Sequence, residues 1–420
     1  MARWAGVLLS VVCLSPCFAA DVRVQAEKGG GWTLRVDGTP YTIRGVSYGA
    51  DKVGEDPNLG TLRDWMTVDD DHDGRIDAPY QSWVDKNGNN RQDADEPTVG
   101  DFKLMADMGV NTIRVYHHPS ASPDIQALFP AGSGGATMFN HEPNKALLRD
   151  LYSTYGIRVA MGDEIGAYAV GSGAAWDPGT DYTNADQKAN IRKSVEDMVK
   201  EFKDEPYILL WILGNENNYR QTHTNANTHA KEYAQFVNEL ARLIHRLDPP
   251  HPVALANGET QLLSTYAQVA PDIDIFGLNT YRRGGYGSLW RDVAATYRKP
   301  VLLTEFGIGV PQLKNGQLDE EWQAAELRRD WCDIEGHTDG QAAPGNAIGG
   351  FFYEWLDNWW QDGNPNALFM EPNRWNHEAN GLAGQGDGSN SPLLRQLRKA
   401  YFTLQGLWKT HADACRATSG

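Results

Sequence analysis

Two glutamates stand at the ends of apolar runs: Glu216 closes 208-ILLWILGNE-216 and Glu305 closes 301-VLLTE-305. A chain that only had to fold would need a turn at either point, yet Glu216 arrives there among Asn215, Asn217 and Asn218. Two carboxyls facing each other across a cleft can cleave an acetal: one protonates the leaving oxygen and the other attacks the anomeric carbon. A separation of about 5–5.5 Å fits a retaining double displacement, and roughly 6.5–9.5 Å leaves room for an inverting water. Either glutamate alone reads equally well as a helix cap, so the joint occurrence carries the signal. Further polar residues gather at similar ends: Arg114 with His117 and His118, Asp163 with Glu164, Asn257, Asn279 with Tyr281, and Glu354 with Trp355.

The elements that must position these groups are eight mostly continuous apolar runs. They begin near Tyr41, Val110, Gly156, Tyr207, Pro252, Ile273, Pro300 and Ile348, and they have the pattern of parallel strands covered on both faces. Helical spacing appears between them, as in Ile191, Val195, Met198, Val199 and Phe202, and again in Tyr233, Phe236, Leu240, Leu243, Ile244 and Leu247. Further helices are predicted near 101–108, 144–155, 288–298, 319–334 and 392–408. The alternation predicts an α/β fold, a (β/α)8 TIM barrel, whose strand ends converge on one mouth. Glu216 and Glu305 then belong to strands four and seven, on opposite sides of that mouth. No Gly-rich phosphate loop follows an early strand, which argues against a dinucleotide fold.

An acidic insertion, residues 69–97, follows the first strand. Asp69, Asp71, Asp73, Gly74 and Asp77 fall at positions 1, 3, 5, 6 and 9 of an EF-hand loop, and Arg75 at position 7 offers a backbone carbonyl. A second copy places Asp85, Asn87, Asn89, Arg91, Asp93 and Glu96 at positions 1, 3, 5, 7, 9 and 12. Tyr80 takes the first loop's twelfth place, and Asn90 replaces glycine at the second loop's sixth. Alternating hard oxygen ligands suit Ca²⁺; the bland alternative is a solvated acidic loop. The expected role is structural.

The first twenty residues, MARWAGVLLSVVCLSPCFAA, have the basic start, apolar run and small-residue end of a secretory signal, so a secreted or periplasmic protein is expected. The division read from the sequence is a signal over 1–20, one catalytic barrel over 21–412 and a tail over 413–420. Beyond the signal only Cys332 and Cys415 remain, able to pair in an oxidising compartment. A net charge of −17 argues against nucleic acid as a partner, and no later run is long enough to span a membrane. A monomer is expected. Fourteen Trp and seventeen Tyr supply aromatic faces that suit sugar rings.

WILGNEN followed by LLTEFG resembles clan A of the glycoside hydrolases, most closely the catalytic barrel of family 2. NTIRVYHHP, GDEIGAY, DIFGLNTY and KPVLLTEFG are similar to that group's second, third, sixth and seventh strands. RVY and the spacing of GNE and TEFG also resemble family 72 β-1,3-glucanosyltransferases. The resemblance implies a β-glycosidase with Glu216 as acid/base, Glu305 as nucleophile and Asn215 on the sugar 2-hydroxyl. It implies Arg114 and Tyr281 beside Glu305, Trp355 as the floor under the sugar, and His117, Glu164 and Asn279 as substrate contacts. The sequence departs from family 2 in lacking a β-sandwich between the signal and the first strand; residues 31–45 read instead as a hairpin capping the barrel bottom. A β-glucan-like substrate is expected. A transglycosylase using the same residues and a non-catalytic, calcium-stabilised carbohydrate-binding barrel are the alternatives. The loop 357–388 is read as an acceptor wall, with Trp359, Trp360 or Trp375 stacking on sugars.

Overall fold

The computed structural model describes residues 20–118, 127–128, 143–338, 344–361, 363–368, 377–410 and 415. The signal segment short of Ala20, the tail apart from Cys415, and Trp375 lie outside them. Eight parallel strands form the barrel: Ile43–Ser47, Thr112–Val115, Arg158–Asp163, Ile208–Leu213, Val253–Leu255 continuing as Asn257–Gly258, Phe276–Asn279, Val301–Phe306 and Ala347–Phe352. The last pairs with the first, Gly349 opposite Ile43, and the fifth meets the sixth at Asn257 opposite Leu278, which closes the ring.

Both strand faces are dry, which is why the runs read as continuous rather than alternating. Ala160, Leu210, Ile212, Ala254, Leu302 and Ile348 belong to one cluster with Phe351 in the barrel interior, whereas Val159, Met161, Trp211, Leu213, Val301 and Leu303 pack with the surrounding helices. The helix Ala185–Phe202 buries the stripe expected of it, and Ala230–Leu247 buries Tyr233, Phe236, Leu240 and Ile244 of its stripe, with Leu243 and Leu247 half-buried. The lead segment forms Val22–Ala26 and the hairpin Trp32–Val36 with Thr39–Pro40. Val22, Leu34 and Val36 join the barrel-interior cluster, so the lead closes the end opposite the mouth.

The helix expected over 392–408 begins only at Lys399. Leu394–Leu397 is a strand, paired with Ala383–Gly384 and parallel to Trp83–Val84 of the acidic insertion. This tertiary pairing overrides local helical propensity. A helix at Leu263–Val269, after the fifth strand, was not expected. The insertion is bolted down by Asp101, a fully buried carboxylate that accepts both Arg395 Nε at 2.7 Å and Arg395 Nη2 at 2.6 Å. Tyr48 and Ser82 donate to the same carboxylate. No described helix is long and apolar enough to cross a membrane.

Cys332 and Cys415 are joined across 83 residues. Closing so long a loop in the unfolded chain is worth up to about 4 kcal/mol by the chain-entropy argument. Replacing both cysteines by serine should lower unfolding stability by roughly 2–4 kcal/mol in urea titrations; an unchanged midpoint and slope would contradict the bond's structural role.

Candidate active site

The chain leaves the fourth strand through Gly214, at φ 80°, and Glu216, itself left-handed at φ 55°. A side chain at position 214 would strike Asn217 Oδ1 at 2.4 Å, so this sharp turn needs glycine there. Asn217 Oδ1 accepts the Asn215 backbone N–H at 2.8 Å, and Glu216 N–H is held by Ala256 O at 2.8 Å. The turn thereby presents Asn215 and Glu216 at the strand tip.

Glu305 is buried, 6% exposed, and ringed by donors. Arg114 Nη1 reaches Glu305 Oε1 at 3.0 Å, Tyr116 O–H donates to the same oxygen at 2.7 Å, and Tyr281 O–H donates to Oε2. Arg114 also binds Thr304 O at 2.8 Å and, through Nη2, Asn215 Oδ1 at 3.0 Å. Asn279 Nδ2 donates to that Asn215 oxygen too, at 3.0 Å. Two donors on Oδ1 fix the amide's orientation and leave Asn215 Nδ2 for a ligand.

Glu216 has a different environment. Burial, then the neighbouring Glu305 charge, push its carboxyl up to about 8, with Asn279 and Arg114 opposing. It therefore carries its proton at neutral pH, whereas the Glu305 oxygens accept hydrogen bonds from Arg114, Tyr116 and Tyr281. The two carboxyls thus stand in unlike surroundings. Glu164, also buried, is pushed up to about 8, by desolvation first.

Of the residues singled out in the sequence, Arg114, Glu164, Asn215, Glu216, Asn279, Tyr281 and Glu305 come together. His117 sits in a buried cluster with His118 and Asp163. Its ring is buried, stacked on His118 at 4.6 Å, and 3.9 Å from Asp163 Oδ1. Burial drives its pKa down to about 3, so it is neutral, and Ser194 O–H completes the knot at 2.6 Å from Asp163 Oδ2. Trp355 does not form the floor: it is fully buried, packed edge-on against Tyr401 at 6.2 Å in the core between barrel and helices. The aromatic beside the site is Tyr353, 6.5 Å from the Tyr116 ring and 6.3 Å from the Tyr281 ring, with both rings edge-on. Trp359 is buried as well, and Trp360 Nε1–H is tied to Asp51 Oδ2 at 2.7 Å. Trp359 therefore offers no open stacking face.

Tyr116 escaped the sequence reading although a signal existed. It lies two residues beyond Arg114, hence on the same face of the second strand.

Residues 134–330 match the family model for glycosyl hydrolases family 2, TIM barrel domain. No curated protein matches the chain. Among solved structures, a β-D-glucuronidase from Dictyoglomus thermophilum is similar at 15% identity and TM-score 0.53, over 94% of this chain and 54% of that one. A β-galacturonidase from Eisenbergiella tayi bound to galacturonate gives 15% and 0.53, over 94% and 54%. A Bifidobacterium dentium β-glucuronidase gives 17% and 0.54, over 93% and 50%. The chain spans about half the length of these structures, and the likeness is one of fold. The resemblance to clan A, closest to the family 2 barrel, is borne out, as is the (β/α)8 architecture.

Glu216 must be protonated to act as an acid. Its raised value extends that state from the ordinary carboxyl range up to about pH 8, so kcat/KM on an aryl β-glycoside should hold through neutrality and fall as pH rises through about 8. A pH–rate profile already falling above pH 5 would contradict this. Glu305→Ala should lose roughly a thousand-fold or more in kcat, measured with the same substrate.

Proposed function

We propose that this chain, with a barrel resembling the family 2 catalytic domain, is a retaining β-glycosidase acting on β-linked saccharides by double displacement. The observation that carries the reading is the unequal pair: Glu305 is buried among Arg114, Tyr116 and Tyr281, and Glu216 is held protonated opposite it. Glu216 donates its proton to the leaving oxygen as Glu305 attacks the anomeric carbon. It then takes a proton from water, or from a sugar hydroxyl in transfer, to release the glycosyl-enzyme. Asn215 Nδ2 is available to the 2-hydroxyl, where hydrogen bonds strengthen as the ring gains positive charge.

The substrates of the structural neighbours are uronides, but the charges here favour an uncharged sugar. Those acting most on Glu216 are Glu305, Arg114 and Glu259. Arg114 is engaged by Glu305 and Asn215, and Arg282 is paired with Glu259 at 2.5 Å. Among these described groups a sugar carboxylate would therefore meet carboxyls rather than an unengaged cation, which fits the β-glucan-type substrate better. Export to an oxidising compartment is supported by the joined cysteines.

Calcium in the insertion is supported by a correspondence between the two loops. In each, the position-5 N–H bonds the position-1 and position-3 side chains: Asp73 with Asp69 and Asp71, and Asn89 with Asp85 and Asn87. The position-6 N–H bonds position 1, and the position-7 N–H bonds position 5, in both. Positions 4 and 6 are left-handed in both, at His72 and Gly74 and at Gly88 and Asn90. Carboxylate oxygens of Asp69, Asp71 and Asp77 lie within 4.8 Å of one another. This donor set fits Ca²⁺, with the Arg75 and Arg91 carbonyls, Asp93 and Glu96 completing the ligands. Bound calcium would neutralise the acids and stiffen the insertion.

Hydrolysis of aryl β-glucoside should exceed that of aryl β-glucuronide at least tenfold in kcat/KM, with the first-released sugar in the β configuration by NMR. An α product would contradict retention, and a better glucuronide the neutral-sugar reading. Oligosaccharides longer than the substrate, formed at high sugar concentration, would identify transglycosylation. If wild type and Glu305→Ala are equally inactive yet bind sugar, the protein is a binding barrel. Chelation with EGTA should lower Tm, and calcium should restore it; an unmoved Tm would contradict both metal sites.

A further inference from the structure

Among the described residues, few large hydrophobic side chains are exposed, and one of them is an aromatic near the mouth: Trp176, 42% exposed. It lies on the segment leaving the third strand. Its ring sits 4.0 Å from that of His223, on the segment leaving the fourth, and stacks with Tyr168 at 6.2 Å. Tyr168 lies four residues beyond the buried Glu164 on the segment leaving the third strand, and the charges of Glu164, Glu216 and Glu305 act on its phenol. The three rings run from that segment out to solvent.

That path is held at several points. Ile165, Tyr168 and Ala169 all have left-handed backbones, at φ 43°, 53° and 60°, a conformation unfavourable for side-chain-bearing residues that tends to gather at ligand sites. Thr180 O–H binds Gly166 O at 2.6 Å, and Tyr182 O–H binds Ile165 O at 2.9 Å. Thr180 N–H binds His223 O at 2.8 Å and so joins the two segments. An indole kept half in water by this much surrounding structure needs an explanation that folding does not supply.

We propose that Trp176, backed by His223 and Tyr168, is the binding platform for the sugar on the leaving side of the cleaved bond. The position follows from the chemistry. Glu216 delivers its proton to the leaving oxygen, and the segments carrying Trp176 and His223 follow the third strand and Glu216's own. The departing group therefore leaves over these rings. A pyranose has an apolar C–H face suited to an exposed indole, with hydroxyls at its edge left for water. The proposal rests on the glycosidase reading and deepens it: the natural leaving group is a saccharide, and in transfer the same rings would hold the acceptor.

The test uses two substrates that share the glycone and differ in what departs: β-glucosyl fluoride, whose leaving group has no ring, and a β-linked glucotriose. Trp176→Ala should lose roughly tenfold or more in kcat/KM on the trisaccharide relative to the fluoride, mostly through KM. Trp176→Phe should recover much of the difference. Calorimetric binding of the trisaccharide should weaken in Trp176→Ala in the same proportion. Equal losses on both substrates, or unweakened trisaccharide binding, would overturn the platform. Wild type that binds the trisaccharide through Trp176 but hydrolyses neither compound would remove the glycosidase reading and leave the platform standing.

Discussion

A carboxylate taken out of water costs several kcal/mol unless its oxygens are met by donors or positive charge. Glu305 is such a group, and meeting that cost organises the mouth of the barrel. Its donors come from separate places: Arg114 and Tyr116 from the second strand, and Tyr281 from just beyond the sixth. Arg114 also reaches Thr304 O and Asn215, so one guanidinium links strands two, seven and four. The bonds that meet the Glu305 oxygens form only when the ring closes.

The neighbouring acids are arranged so as not to compete. Glu216 and Glu164 are both pushed up to about 8 by burial, so at neutral pH they add little negative charge beside Glu305. The same apolar surroundings thus serve two ends. They hold the proton on Glu216, and they spare Glu305 the repulsion of two further anions. Glu354 follows the same rule, raised by desolvation and bonded by Asn358 Nδ2 at 2.6 Å.

The sequence disclosed the strands well, because a parallel strand dry on both faces leaves an apolar run that few other elements imitate. It also disclosed the polar tips, since charge at the end of such a run is costly without a task. Which face each tip residue takes was harder to see. Trp355 and Tyr353 are two positions apart near the eighth strand's end, and only the packing of Tyr401 against the indole shows which one turns into the core. Nothing local to His117 reveals that Asp163, from another strand, stands beside it, or that Ser194, from a helix, bonds that carboxylate. The strand at Leu394–Leu397 depends on Trp83–Val84, far away in the chain, and no window of neighbouring residues contains that information. The platform around Trp176 was missed because it follows no period; left-handed residues and ring contacts between two segments define it.

The Asp101–Arg395 clamp joins residues 294 apart. During synthesis Asp101 emerges long before Arg395. The barrel strands precede Arg395, so the sheet can assemble while the rim is still unlatched. A nascent chain stopped short of Arg395 would hold every barrel strand and both glutamates yet lack the bolt that seats the acidic insertion. The order of translation therefore lets the barrel close before the insertion is latched.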